Sequence, residues 1–228
     1  MAAGRVRAGL SGSPPPPTPS RKGRGLSSPS PLAGEGRGEG ALAAVAAQAR
    51  ACTACTDLPL GPRPILRVST TARLLITSQA PGTKAHMTEV PFNDASGDRL
   101  RDWLGLDRDV FYDAARVGIL PMGLCYPGRL PQGGDVGPRA GCAPLWHPRL
   151  LPLMPAIRLT LLVGSYAQAY ALGPGTMGHR VRDHARYLPR YFPLPHPSWR
   201  TVGWEKRNPW FGAEVLPALR RIVTETLA

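Results

Sequence analysis

Four cysteines give this 228-residue chain its most direct hint of chemistry. Two residues separate Cys52 from Cys55, sixty-nine separate Cys55 from Cys125, and sixteen separate Cys125 from Cys142. Two well-separated pairs that bring four thiolates together suit a tetrahedral metal ion or an iron–sulfur cluster. Spacing alone leaves structural zinc and a cluster level, because both take four thiolates; buried free thiols and disulfides are the plainer alternatives. A second group of reactive side chains lies in three polar loops: Ser78-Gln79-Ala80-Pro81-Gly82, Pro91-Phe92-Asn93-Asp94-Ala95-Ser96-Gly97-Asp98 and Pro195-His196-Pro197-Ser198. Carboxylates such as Asp94 can orient a water, and an imidazole such as His196 can move or donate a proton.

Something must hold those loops together. Apolar runs of strand length at Arg73 to Thr77, Val117 to Pro121, Arg158 to Val163 and Tyr191 to Leu194 alternate with helix-like segments. The latter are Gly97 to Leu104, a stretch within Pro144 to Met154, Ser165 to Leu172, Met177 to Tyr187 and Trp210 to Leu227. Such alternation predicts an α/β protein, a three-layer αβα sandwich with a central, mainly parallel four-stranded sheet. Ligands of such sheets bind beyond the carboxyl ends of the strands, where the first and third loops begin.

The charge balance narrows the class of partner. Lys and Arg total 28 against 15 Asp and Glu, a formal net charge of +13. Residues 1–41 hold six Lys/Arg and two Glu, so most of the surplus belongs to the rest of the chain. A basic surface suits a polyanion, since cations near phosphates release condensed counterions. The same surplus also fits a merely solubilising surface. No apolar run reaches the length of a membrane span, and Pro14 to Pro17 break any early apolar segment, so a soluble, unexported protein is expected.

Residues 1–41 contain seven Pro, nine Gly and six Ser and read as a disordered low-complexity tail. The run Ser30 to Gly40 looks like a translated bacterial intergenic repeat brought in by a misassigned start codon. A single domain is expected over 42–228, opening on an Ala-rich helix at Leu42 to Arg50.

The three loops, in this order and at strand ends, resemble the signatures of the uracil-DNA glycosylase superfamily. The first is similar to its Gly-Glu-Ala-Pro-Gly form, the last to its His-Pro-Ser form, and the middle one to the Pro-Phe segment and the Asp-x-Ser-Gly of one branch. The resemblance covers essentially all of 42–228. It implies a DNA-repair enzyme of base excision repair that hydrolyses the N-glycosidic bond of uracil or another deaminated base. The order of the cysteines resembles the iron–sulfur branches of that superfamily. This implies a structural 4Fe–4S cluster on Cys52, Cys55, Cys125 and Cys142, with zinc as the alternative. A monomer in the bacterial cytoplasm, associated with the nucleoid and bound to single- or double-stranded DNA, completes the expectation.

Residue by residue, the resemblance implies that Phe92 stacks on a base flipped from the helix. His196 would donate a hydrogen bond to the base oxygen where charge develops. Backbone groups around Gln79, Ala80 and Gly82 would support the base or the attacking water. Ser198 and Arg200 would meet DNA phosphates, with Trp199 beside them. Two departures matter. Ala80 stands where the best-known branch has a water-activating Asp, which leaves Asp94 as the replacement and Asp98 and His86 behind it. Asp94 could instead cap the helix that follows. Pro121 falls where a related branch has its uracil-reading Asn, so Met122, Gly123 or a backbone group would read the base. The competing readings are a catalytically weak DNA-binding member of the same fold and an unrelated zinc protein acting on RNA. Trp210, Phe211 and His147 are expected to pack in the core, and His179 and His184 to face solvent.

Overall fold

Four apolar runs become the strands of one parallel sheet in a computed structural model that describes residues 31–228, with side chains from residue 38. The strands are β1 (Leu74–Thr77), β2 (Val117–Ile119), β3 (Leu159–Val163) and β4 (Tyr191–Leu194), in spatial order β2-β1-β3-β4 with every pairing parallel. Strands covered on both faces read as continuous apolar runs, and all of β1 is buried. Pro193 within β4 is tolerated because β4 is an edge strand, which can spare a ladder donor on its open side. Arg67 closes part of the opposite edge by exchanging two backbone hydrogen bonds with Ile119, at 2.8 and 2.7 Å.

Period-two alternation divides the core. Leu74, Ile76, Leu161 and Phe192 face a layer built from α3 (Ala95–Leu104) and α9 (Leu216–Leu227), with Phe211 and Val215 of the preceding π-helical turn. Leu75 and Leu120 face the other layer, where α1 (Pro31–Arg50) packs on α5 (Cys142–Leu150). The expected three-layer sandwich is the observed one. α1 starts earlier than the expected Leu42 and runs through glycines at 34, 36, 38 and 40, all poor helix formers. Its anchor is the buried stripe Leu42, Ala46 and Ala49. The tail expected over 1–41 is thus helical from Pro31, and its first thirty residues lie outside those described.

Several short helices complete the frame: α2 (Thr83–Thr88), α4 (Arg108–Tyr112), α6 (Ser165–Leu172), α7 (Met177–Arg182) and α8 (Val202–Arg207). Among the described residues no helix is long and apolar enough to cross a membrane.

Candidate active site

Loops leaving the carboxyl ends of the strands enclose a cavity of about 370 Å³, within the range of small-molecule sites. Gln79, Ala80, Gly82, Phe92, Asp94, His196, Ser198 and Arg200, the side chains and backbone positions singled out from the sequence, all line it. The parallel sheet accounts for this convergence, because it delivers every strand end to the same edge.

The loop after β1 is pinned from behind. Met122 N–H donates to the Ser78 carbonyl at 2.8 Å and Gly123 N–H to the Gln79 carbonyl at 2.9 Å, while the Gln79 amide nitrogen donates to the Val136 carbonyl at 3.2 Å. These bonds engage the backbone donors of Met122 and Gly123, and the Pro121 carbonyl receives His147 Nε2 at 3.0 Å. Met122 and Gly123, expected beside a backbone group as readers of the base, thus use their N–H groups to hold the loop, and the cavity lining at this point is Pro121. The N–H groups of Ala80 and Gly82 have no protein acceptor among the described residues and stay free for a ligand.

Phe92 sits in the left-handed backbone region, at φ 56°, a costly conformation for a non-glycine residue. Its carbonyl is held by Tyr112 Oη at 3.0 Å and Arg101 Nη1 at 3.4 Å, and its ring meets Phe111 edge-on at 6.1 Å. Asp94 caps the helix that follows and also lines the cavity. One oxygen, Oδ1, accepts from Gly97 N–H at 2.9 Å and caps α3. The other, Oδ2, turns into the cavity, 3.7 Å from where a Cβ on Gly82 would stand. Neither runner-up joins it. Asp98 points outward in a 2.5 Å pair with Arg101, and His86 is buried against Tyr126.

His196 leaves β4 beside Gly164, whose φ of 90° requires glycine and whose missing side chain gives the imidazole room; a Cβ there would meet His196 Cβ at 3.4 Å. Burial pushes the His196 imidazole below its usual 6.5, and the Asp94 carboxylate pulls the other way. The net result is a ring that is neutral at pH 7. Beneath this loop Arg99 donates to the Ser198 carbonyl at 3.0 Å and to Glu205 at 2.6 Å, a support invisible in the sequence. Trp199 is 78% exposed at the rim. Arg200 gives Nη2 to the Gly133 carbonyl at 2.6 Å, so part of its fork, expected for phosphate, is spent holding a loop.

That loop was missed from sequence. Arg129 to Asp135 forms a tight reversal through Gly133 and Gly134, both at positive φ, and places Arg129, Gly134 and Asp135 on the cavity wall. The Gly-Gly pair was the available signal.

The cysteines require a correction. Cys52, Cys55, Cys125 and Cys142 are free thiols along one narrow cleft shared with Arg139 and Trp146. Among the described residues no group of three or more His, Cys, Asp or Glu is placed to hold a metal ion. The 4Fe–4S cluster, the zinc alternative and the likeness to iron–sulfur branches are overturned on that ground. Burial pushes the Cys125 thiol up to about 11 and raises Cys142 as well. Spacing brought the four together; a ligand set also needs donors aimed at one point, which spacing does not specify.

Elsewhere His147 is buried at 3% exposure, Phe211 is a core residue, and His179 is exposed, each as expected. His184 differs: it stacks on Phe192 at 4.6 Å. His86, His147 and His196 share a lowered pKa with burial as its first cause. A histidine held neutral by folding contributes stability that is present above its unfolded value near 6.5 and is lost as pH falls through the lower folded value. The urea midpoint is accordingly expected to drop between pH 7.5 and pH 5; an unchanged midpoint would contradict the neutral assignment.

Residues 67–220, two thirds of the chain and all four strands, match the family model described as the uracil DNA glycosylase superfamily.

Proposed function

From membership of the uracil DNA glycosylase superfamily, to which this chain belongs, we propose that it hydrolyses the N-glycosidic bond of uracil or another deaminated base in DNA. The observation that carries this reading is the presence of Phe92, Asp94 and His196 in one cavity at the strand ends. A target nucleotide must leave the stack to enter such a cavity, at a cost of roughly a few kcal/mol. Phe92, fixed by its carbonyl contacts, offers a ring for the extruded base to stack on.

Breaking the bond leaves its electron pair on the base and positive charge on the sugar. A neutral His196 donates a hydrogen bond to the base oxygen that gains the charge, an interaction stronger in the transition state than in the ground state. The Asp94 carboxylate lies on the opposite demand: it steers water and faces the cationic sugar. Ala80 and Gly82 supply free N–H groups at the same wall. Exposed Trp199 and the free part of the Arg200 fork meet the DNA backbone.

Purified protein is expected to convert oligonucleotides carrying uracil, hypoxanthine or xanthine to abasic sites, read as alkali-sensitive strand breaks, with activity on at least one of them. No breaks on any of the three, in single strands or duplexes, would overturn the reading. Ala80 motivates one rival, a DNA-binding member of the fold with little turnover. That rival calls for salt-sensitive binding to abasic or uracil DNA without product.

A further inference from the structure

We propose that Asp135 is the proton-accepting carboxylate of this site, holding the attacking water together with Asp94 across the open face of Gly82. The proposal rests on the glycosylase reading and deepens it. A Cβ on Gly82 would stand 3.4 Å from Asp135 Oδ2 and 3.7 Å from Asp94 Oδ2, so two carboxylate oxygens from distant parts of the chain flank one glycine. Gly82 itself has φ −81° and ψ 177°, a conformation open to any residue, and a Cβ there would be in ordinary contact with both carboxylates. The two carboxylates thus share the stretch of cavity wall beside the Gly82 backbone, where the cavity leaves space for a water.

A water in that space can donate one hydrogen to each carboxylate, which leaves a lone pair for the sugar carbon. The bond from C1′ to the base nitrogen breaks with its pair going to the base, the water oxygen bonds to C1′, and one water proton passes to a carboxylate. Asp94 is the weaker candidate for that proton, because its Oδ1 is tied to the Gly97 amide. Asp135 makes no hydrogen bond or ion pair among the described residues, and its loop is held against the site by the 2.6 Å bond from Arg200 to Gly133. The carboxyl of Asp135 is held above the usual carboxylate range. The first cause is the water displaced by surrounding loops, although the residue as a whole is exposed; the Asp94 charge adds to it, while Arg129 and Arg200 act against it. The other titratable group facing the pair is His196, neutral at pH 7. A raised proton affinity is what a base needs.

The test uses the full chain and single-turnover rates on whichever of the uracil, hypoxanthine or xanthine single strands the wild type cleaves. Asp135→Asn is expected to slow base release by roughly 10²-fold or more, with binding to an abasic oligonucleotide within about two-fold. Added formate is expected to restore part of the rate to Asp135→Ala, which a purely structural role would not allow. Asp94→Asn is expected to move the acid limb of the pH–rate profile to lower pH, since it removes the negative neighbour that raises Asp135. Asp135→Asn retaining over half of the wild-type rate, or an acid limb unmoved in Asp94→Asn, would overturn the assignment while leaving the glycosylase reading intact. A wild type inactive on all three bases would overturn both.

Discussion

His196→Ala is expected to lower the single-turnover rate of base release by roughly 10²–10³-fold, the usual effect of removing one donor aimed at developing negative charge. Binding to an abasic oligonucleotide, where the base is already gone, is expected to change little. The asymmetry follows from the state of the ring. Burial holds His196 neutral, and a neutral donor brought to the base oxygen gains strength only as that oxygen becomes anionic. The side chain also packs against Gly164, and its carbonyl accepts from Thr201 Oγ1 at 2.5 Å. Backbone bonding of this kind survives truncation of the ring, so the loop keeps its path in the variant. A conservative His196→Asn, which retains a donor, is expected to recover part of the loss. A rate within about three-fold of wild type in His196→Ala would remove His196 from the chemistry. A wild type that binds but does not turn over, unchanged by the substitution, would instead favour the DNA-binding rival.

Much of the positioning frame was legible because buried parallel strands have no polar face to obscure them. Leu74 to Thr77 and Leu159 to Val163 are apolar runs of the right length, and their ends mark where ligands must come. The short helices α2, α4 and α8 were not, since five or six residues carry too little periodicity to register. In α4 the signal was local instead: Asp107 accepts from Val110 N–H at 2.8 Å as its cap. Asp135 illustrates a deeper limit. Its approach to Asp94 depends on a reversal at Gly133 and Gly134 and on an arginine more than sixty positions away, and no spacing rule connects the three. The cysteines show the converse error. Their convergence on one cleft was readable, but ligation is a matter of the direction in which donors point, which the folded surroundings decide.

The largest expected effect on stability falls on a glycine. A Cβ on Gly97 would stand 1.7 Å from the Phe92 carbonyl oxygen, 2.6 Å from its carbon and 2.8 Å from Phe92 Cβ, so the obstruction is backbone with no flexible side chain to move aside. That backbone has little freedom of its own. Phe92 is already at positive φ, and its carbonyl is clamped by Tyr112 and Arg101. Gly97 N–H is moreover the partner of the Asp94 cap, so any shift that relieves the clash loosens the carboxylate as well. Gly97→Ala is expected to destabilise by about 3 kcal/mol, the upper end for overpacking, with a fall of roughly 6–12 °C in Tm. Because the strain is shared by Phe92 and Asp94, base release in the folded fraction is expected to fall too, by roughly ten-fold or more for a misplacement on the order of 1 Å. Gly212→Ala is the matched control: a Cβ there meets nothing within 4 Å, and Tm is expected to hold or rise slightly. If Gly97→Ala melts with Gly212→Ala and cleaves at the wild-type rate, the coupling between the tight turn at Phe92 and the carboxylate of Asp94 is not what shapes this site.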